Sequence, residues 1–183
     1  MLVKGEDSWM FQIPGTGLVE RQAELCDCSW LPVSTQGIAE EEVDDLKSAL
    51  SNLSIDGIVS GALRSDYQKT RLERMCEDLG IKSFTPLWHQ SSDSHMDNLV
   101  NNGFEVMITG VSCEGLGKEW LGLILNLENL KILKEKATEF RFHVDGEGGE
   151  YETLVIAGPH MTDRLNLDYE VHWDGVRGHL NFI

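Results

Sequence analysis

The sequence predicts an α/β protein, with a mainly parallel, doubly wound sheet followed by a smaller C-terminal α+β unit. Three observations carry this expectation. Short apolar runs alternate with amphipathic stretches as far as Val111. After Ser112 the rhythm changes, and Gly115-Leu116-Gly117 leads into two helical stretches. A loop rich in glycine and glutamate, Gly146-Glu147-Gly148-Gly149-Glu150-Tyr151-Glu152-Thr153, then dominates the second part. The expected boundary therefore lies near Val111, dividing 1–111 from 112–183.

Taken in order, Met1-Leu2-Val3 opens the chain and Trp9-Met10-Phe11-Gln12-Ile13 follows a polar turn. Leu18, Val19, Gln22, Leu25 and Cys26 share a helical face, and 30–34 reads as a strand. Glu40-Glu41-Glu42 with Asp44-Asp45 opens a helix with Val43, Leu46, Leu50 and Leu53 inward. Acids in a first turn complement the helix dipole, so this run reads as a solvated helix start. The strand 55–60 and the helix 67–79 come next, then a strand at 81–85, a helix carrying Met96, Leu99 and Val100, and a last strand of the series at 104–111. In the second part, 120–125 and 130–140 read as helical. Phe142-His143-Val144 and Leu154 to Ala157 read as strands on either side of the glycine-glutamate loop. Tyr169 to Trp173 and Gly178 to Ile183 read as a strand pair across Asp174-Gly175.

Composition excludes several classes. Lys and Arg number 15 against 31 Asp and Glu, a net charge of −16, which disfavours a broad nucleic-acid or anionic-membrane surface. Cys26, Cys28, Cys76 and Cys113 form no CxxC pair, so reduced thiols fit better than disulfides or zinc, and no metal site is assigned. No apolar run approaches the ~20 residues needed to span a bilayer. A soluble, cytoplasmic protein is expected, with a chain long enough to bury roughly 70% of its unfolded surface.

Two regions carry candidate chemistry. Gly61-Ala62-Leu63-Arg64-Ser65-Asp66-Tyr67-Gln68 follows the C-terminal end of a strand, where open parallel sheets bind ligands. Gly61, Ser65, Tyr67 and Gln68 are its candidates for nucleotide or substrate, although Ser65 and Asp66 also read as helix caps. Trp88, in Pro86-Leu87-Trp88-His89, follows the next strand end, where a half-buried packing role competes with a ligand contact. In the second region, Glu147, Gly148, Gly149, Glu150, Tyr151 and Glu152 read either as a solvated hairpin turn or as a binding loop. Closely packed like charges repel, and they suit a cation, an amine or a hydroxyl-bearing ligand better than a phosphate. His143 reads as a strand residue, and His160, His172 and His179 show no paired ligand spacing.

The three segments Gly61 to Gln68, Pro86-Leu87-Trp88 and Gly146 to Thr153, in this order, resemble the diphthine–ammonia ligases of the N-type ATP pyrophosphatase group. The likeness runs from about Met1 to Leu165, and Trp9-Met10-Phe11-Gln12 is similar to the family's aromatic segment near the substrate. The resemblance implies a Rossmann-like (HUP-type) nucleotide-binding sheet, ATP and Mg²⁺ as cofactors, and diphthine-bearing translation elongation factor 2 and ammonia as substrates. ATP would adenylate the diphthine carboxylate, and ammonia would displace AMP to give diphthamide. Positioning and charge stabilisation suffice for this, so no catalytic residue is assigned. Diphthine's trimethylammonium group cannot donate an N–H hydrogen bond, and Glu147, Glu150, Tyr151 and Trp88 are expected around it.

One departure is large. The family's Ser-Gly-Gly-Lys-Asp-Ser phosphate loop does not occur in this sequence, which is N-terminally truncated relative to the family and begins near the end of its second strand. A late-assigned start, a split enzyme whose other chain supplies the loop, or a degenerate paralogue would each account for this. The missing central strand is expected to leave unpaired strand edges and exposed apolar faces, and with them low stability, dimerisation or aggregation. A non-catalytic module that binds diphthine or the elongation factor is the second reading, and a nucleotide-binding signalling unit the third.

Overall fold

The computed structural model describes residues 1–5, 8–13 and 15–183. The chain divides into two compact units, Met1–Gly17 with Leu31–Gln90, and Leu18–Trp30 with Ser91–Ile183. The division falls at Gln90/Ser91 rather than near Val111, because the strand that ends at Val111 is hydrogen-bonded along both edges within the second unit.

In the first unit, β1 (Leu2–Val3) pairs in parallel with β2 (Ser34–Thr35), and β3 (Gly57–Val59) in parallel with β4 (Lys82–Phe84). Among the described residues these are two separate two-stranded sheets. Val59 and Phe84 are register partners, and both stay exposed. Parallel strands are ordinarily covered on both faces, so this apolar pair is unusual. The core of the unit is small: Met10, Val43, Met75 and Cys76, from the 8–13 segment and two helices, α2 (Glu41–Leu50) and α3 (Asp66–Leu79). Ser65 caps α3, its Oγ accepting the Gln68 N–H at 3.3 Å, and Gly80 ends it in the left-handed region at φ 69°.

The acidic start of α2 is not wholly solvated. Glu42 is fully buried, and its Oε2 accepts the Ser8 hydroxyl at 2.5 Å. Ser8 Oγ in turn accepts the amides of Met10 and Phe11, so one buried carboxylate anchors the aromatic segment to α2. Burying an ionisable group is tolerable when it is hydrogen-bonded, which the periodicity of the run could not reveal.

In the second unit, α1 (Val19–Leu25), α4 (Ser92–Asn101) and α5 (Leu127–Phe140) accompany one antiparallel sheet. Its order is β6 (Tyr151–Ala157), β5 (Glu105–Val111), β8 (Gly178–Phe182), β7 (Tyr169–Trp173). The expectation that 104–111 closes a parallel series is thus corrected, and the protein is a mixed α/β chain with small parallel sheets and one antiparallel sheet. The 120–125 helix is also absent. A short 3-10 turn, Lys118–Trp120, gives way to extended chain in which Ile124 bridges Met107, with Gly122 at φ 82° beside the Tyr169 hydroxyl. The β7–β8 hairpin forms as expected.

The core of the unit gathers Val106, Met107, Ile108 and Val111 of β5 against Leu130, Leu133 and Ala137, which lie at helical spacing on α5. Asn126 and Asn129 form a reciprocal capping box at the start of α5. Tyr151 is buried at the start of β6, and its hydroxyl donates to the Val144 carbonyl.

Leu133 has no exposed surface. Leu133→Ala should cost about 2–5 kcal/mol in urea unfolding, because the surrounding helix and sheet cannot close the cavity fully. Tyr151→Phe should cost about 1–2 kcal/mol in the same measurement, since the Val144 carbonyl loses its buried donor.

Candidate functional site

The glycine-glutamate loop does not join two strands. Phe142 to Val144 is irregular, because α5 ends in a left-handed cap at Arg141, φ 60°, and the chain then turns twice. The Gly146 amide donates to the His143 carbonyl and the Gly149 amide to the Gly146 carbonyl, both at 2.9 Å. Gly146 and Gly149 sit at φ 72° and 79°, where a side chain is strained. The loop is tied to the end of β5 by Ser112, whose amide donates to the Glu150 carbonyl at 2.8 Å and whose hydroxyl donates to the Gly149 carbonyl.

The glutamates of the loop have different environments. Glu150 turns back into the loop: Oε1 accepts the His143 amide and Oε2 the Gly148 amide, each at 2.9 Å. A Cβ on Gly148 would lie 2.6 Å from Glu150 Oε1, so the glycine admits the carboxylate. Glu150 is therefore a brace. Burial and the adjacent Glu150 carboxylate push the Cys113 thiol up from its ordinary value, which keeps it protonated. Glu152 lies half-buried along β6, opposite Gly110 of β5, and desolvation raises its carboxyl above the usual range. Among the described residues it has no cationic partner. Glu147 is half-buried at the tip between Gly146 and Gly148. Gly149 projects into open space.

Tyr151 cannot offer its ring to a ligand: it is buried, its hydroxyl is engaged, and burial followed by the charges of Asp145 and Glu150 raises its pKa. This corrects the expectation that Tyr151 and Glu150 face a substrate cation.

In the first unit, the C-terminal ends of β3 and β4 stand side by side. The loop after β3 is fixed to the loop after β4 by the His89 amide on the Leu63 carbonyl at 2.9 Å and by the Arg64 guanidinium on the Gln90 carbonyl at 2.7 Å. Gly61 faces open space, and Ser65 is the helix cap. Gln68 Nε2 donates to the Met10 carbonyl at 3.2 Å, which draws the aromatic segment to the same edge. Tyr67 carries the Arg71 guanidinium 3.4 Å over one face and has Trp9 at 5.6 Å, tilted by 59°. Trp88 is already flanked: His89 stacks on it at 4.6 Å, and the Lys69 ammonium lies 5.2 Å from its ring centre. A neighbouring ammonium repels a second cation, so Trp88 is poorly placed to receive one. Trp9 and Phe84, 70% and 62% exposed, are open aromatics of this unit.

Periodicity alone missed Ser112, the desolvation of Glu152, and the exposure of Trp9, since each depends on a contact or register remote in sequence. The glycine pattern was the one local signal of the loop's geometry.

Comparison with known proteins fits these features. The model of the diphthamide synthase N-terminal domain matches residues 1–83, and that of the diphthamide synthase C-terminal domain matches residues 91–182. Curated relatives named diphthine–ammonia ligase, an enzyme name, are similar over most of this chain. The Schizosaccharomyces pombe protein is 32% identical over 90% of this chain and 30% of its own length. The zebrafish (Danio rerio) protein is 28% identical over 88% of this chain and 69% of its own length, and the human (Homo sapiens) protein 28% over 88% and 66%. The matched region thus spans about two thirds of the vertebrate relatives and less than a third of the yeast one. With both family domains matched in order along the chain, the chain belongs to the diphthamide synthase family.

Proposed function

We propose that this chain serves the ATP-dependent amidation of diphthine on translation elongation factor 2, yielding diphthamide, AMP and pyrophosphate in the cytoplasm. The observation that carries the proposal is the braced loop, in which Glu150 fixes the backbone and Glu152 is left half-buried without a cation. A carboxylate penalised by burial gains most from a fixed positive charge. Trimethylammonium supplies charge without demanding an acceptor geometry, which suits a carboxylate with no ordered donor around it. Glu152 takes this role in the second unit. Gly61, Ser65, Tyr67 and Gln68 form the edge for nucleotide or substrate, as a Rossmann-like (HUP-type) sheet would have it.

ATP, when bound, supplies the activation of the diphthine carboxylate towards ammonia. The residues present do not make a phosphate cradle: the Ser-Gly-Gly-Lys-Asp-Ser loop is not among them, and among the described residues no three His, Cys, Asp or Glu side chains converge as a metal cage for Mg²⁺. The cradle would have to come from residues beyond these 183, in a longer chain or a separate chain. The missing loop also favours a second reading, a module that binds the modified factor without turning over ATP.

The deciding experiment mixes the chain with diphthine-bearing elongation factor 2 and follows binding by calorimetry and amidation, with ATP, Mg²⁺ and ammonia, by mass spectrometry. Diphthamide formation supports the ligase, binding without amidation supports the module, and no binding removes both. Gly148→Ala should weaken binding by about a hundredfold, because the Glu150 brace must open and shift the loop by an ångström or so. Glu152→Gln should raise the melting temperature at pH 7–8. A carboxyl raised above its unfolded value lends stability only while protonated, so the gain should shrink as pH falls towards the ordinary glutamate range and vanish below it.

A further inference from the structure

The β7–β8 register places His172 directly opposite His179. Both side chains are exposed, with ring centres 5.0 Å apart and planes inclined at 43°. Directly opposed residues in an antiparallel ladder project from one face. The other face carries Val171 and Trp173 opposite Leu180 and Gly178, with Leu180 and Gly178 buried, so the histidines stand on the side turned away from the core. Among the described residues neither imidazole has a hydrogen-bond partner, so neither ring is held by one.

The separation matches a specific geometry. A metal ion ~2.1 Å from one nitrogen of each ring, at a tetrahedral angle, holds the two ring centres about 5 Å apart. Asp174, two residues from His172, closes the hairpin turn with Oδ1 accepting the Val176 and Arg177 amides at 2.8 and 2.7 Å, and the charges of His172 and Arg177 both act on it. Across the sheet, His179 is opposite Gly110, and Gly110 is opposite Glu152. Glu152, Gly110, His179 and His172 therefore form one row across four strands on one face. Gly110 leaves a gap in that row, over which Glu152 leans: a Cβ there would lie 3.2 Å from both Cβ and Cγ of Glu152.

We propose that His172 and His179 bind a first-row transition-metal cation of the Zn²⁺ or Cu²⁺ class, with water completing the shell and Asp174 and Glu152 supplying negative charge. Imidazole nitrogen selects these ions over Mg²⁺ or Ca²⁺, which prefer oxygen. The site does not depend on the amidation reading.

The test uses the 183-residue chain with Zn²⁺ alone, by calorimetry, and Cu²⁺ alone, by electron paramagnetic resonance. One equivalent of Zn²⁺ should bind, and His172→Ala and His179→Ala should each weaken it at least about tenfold, while His160→Ala leaves it unchanged. The Cu²⁺ spectrum should show coupling to two imidazole nitrogens, falling to one in either variant. Both side chains are exposed, and unchanged circular dichroism of the variants, with His172→Gln as a second substitution, verifies that folding is intact. The proposal is overturned if the chain takes up no Zn²⁺, or if both alanine variants keep the affinity and spectrum of the parent.

Discussion

The second unit depends on β5 being paired along both edges. Its residues Val106 to Val111 are all buried, and a strand buried on both faces and satisfied on both edges cannot be removed without opening the whole unit. Its C-terminal end decides where the glycine-glutamate loop sits. Ser112, the residue after the strand, holds Glu150 and Gly149 through backbone and hydroxyl bonds, so the loop inherits the rigidity of the sheet. A register shift between Ile108 and Gly110 then brings Gly110 opposite Glu152 and, on its other edge, opposite His179.

The first unit has no comparable anchor. Among the described residues its two parallel pairs form no continuous sheet, and the buried Glu42 ties the aromatic segment to α2. Val59 and Phe84 stay exposed on strands of a type that is normally covered. Two-stranded sheets are marginal alone, and here the loops after the strands, crosslinked through Leu63, His89, Arg64 and Gln90, contribute order that the ladder does not. That order falls at the C-terminal ends of β3 and β4.

Elements whose signal is local were legible in the sequence. The α3 helix carries its own serine cap and glycine stop, and the β7–β8 hairpin its Asp-Gly turn, so both lie close to where periodicity puts them. Strand direction is not local. The run Glu-Val-Met-Ile-Thr-Gly-Val reads the same in a parallel or antiparallel sheet when both faces are buried, which is why β5 was expected in the wrong partnership. The apolar stretch after Trp120 resembled a helix by composition, but Gly122 lies at φ 82° and the chain extends beside β5. In the site, the glycines announced a constrained loop, whereas the fate of each glutamate awaited the fold.

That fate separates two residues that composition treats as equivalent. Glu150 precedes the first residue of β6, where the chain is still turning, and its carboxylate folds back on two amides that the turns leave pointing inward. Those two bonds tie its carboxyl group to the loop backbone. Two residues later the chain is extended and side chains alternate. Tyr151 takes the core side, and Glu152 is carried to the opposite face over a glycine, where burial is partial and, among the described residues, no hydrogen bond to its carboxyl group is formed. The cluster of acids is therefore not one electrostatic unit. One member builds the loop, and another remains under-compensated, the state in which a bound cation makes the largest difference.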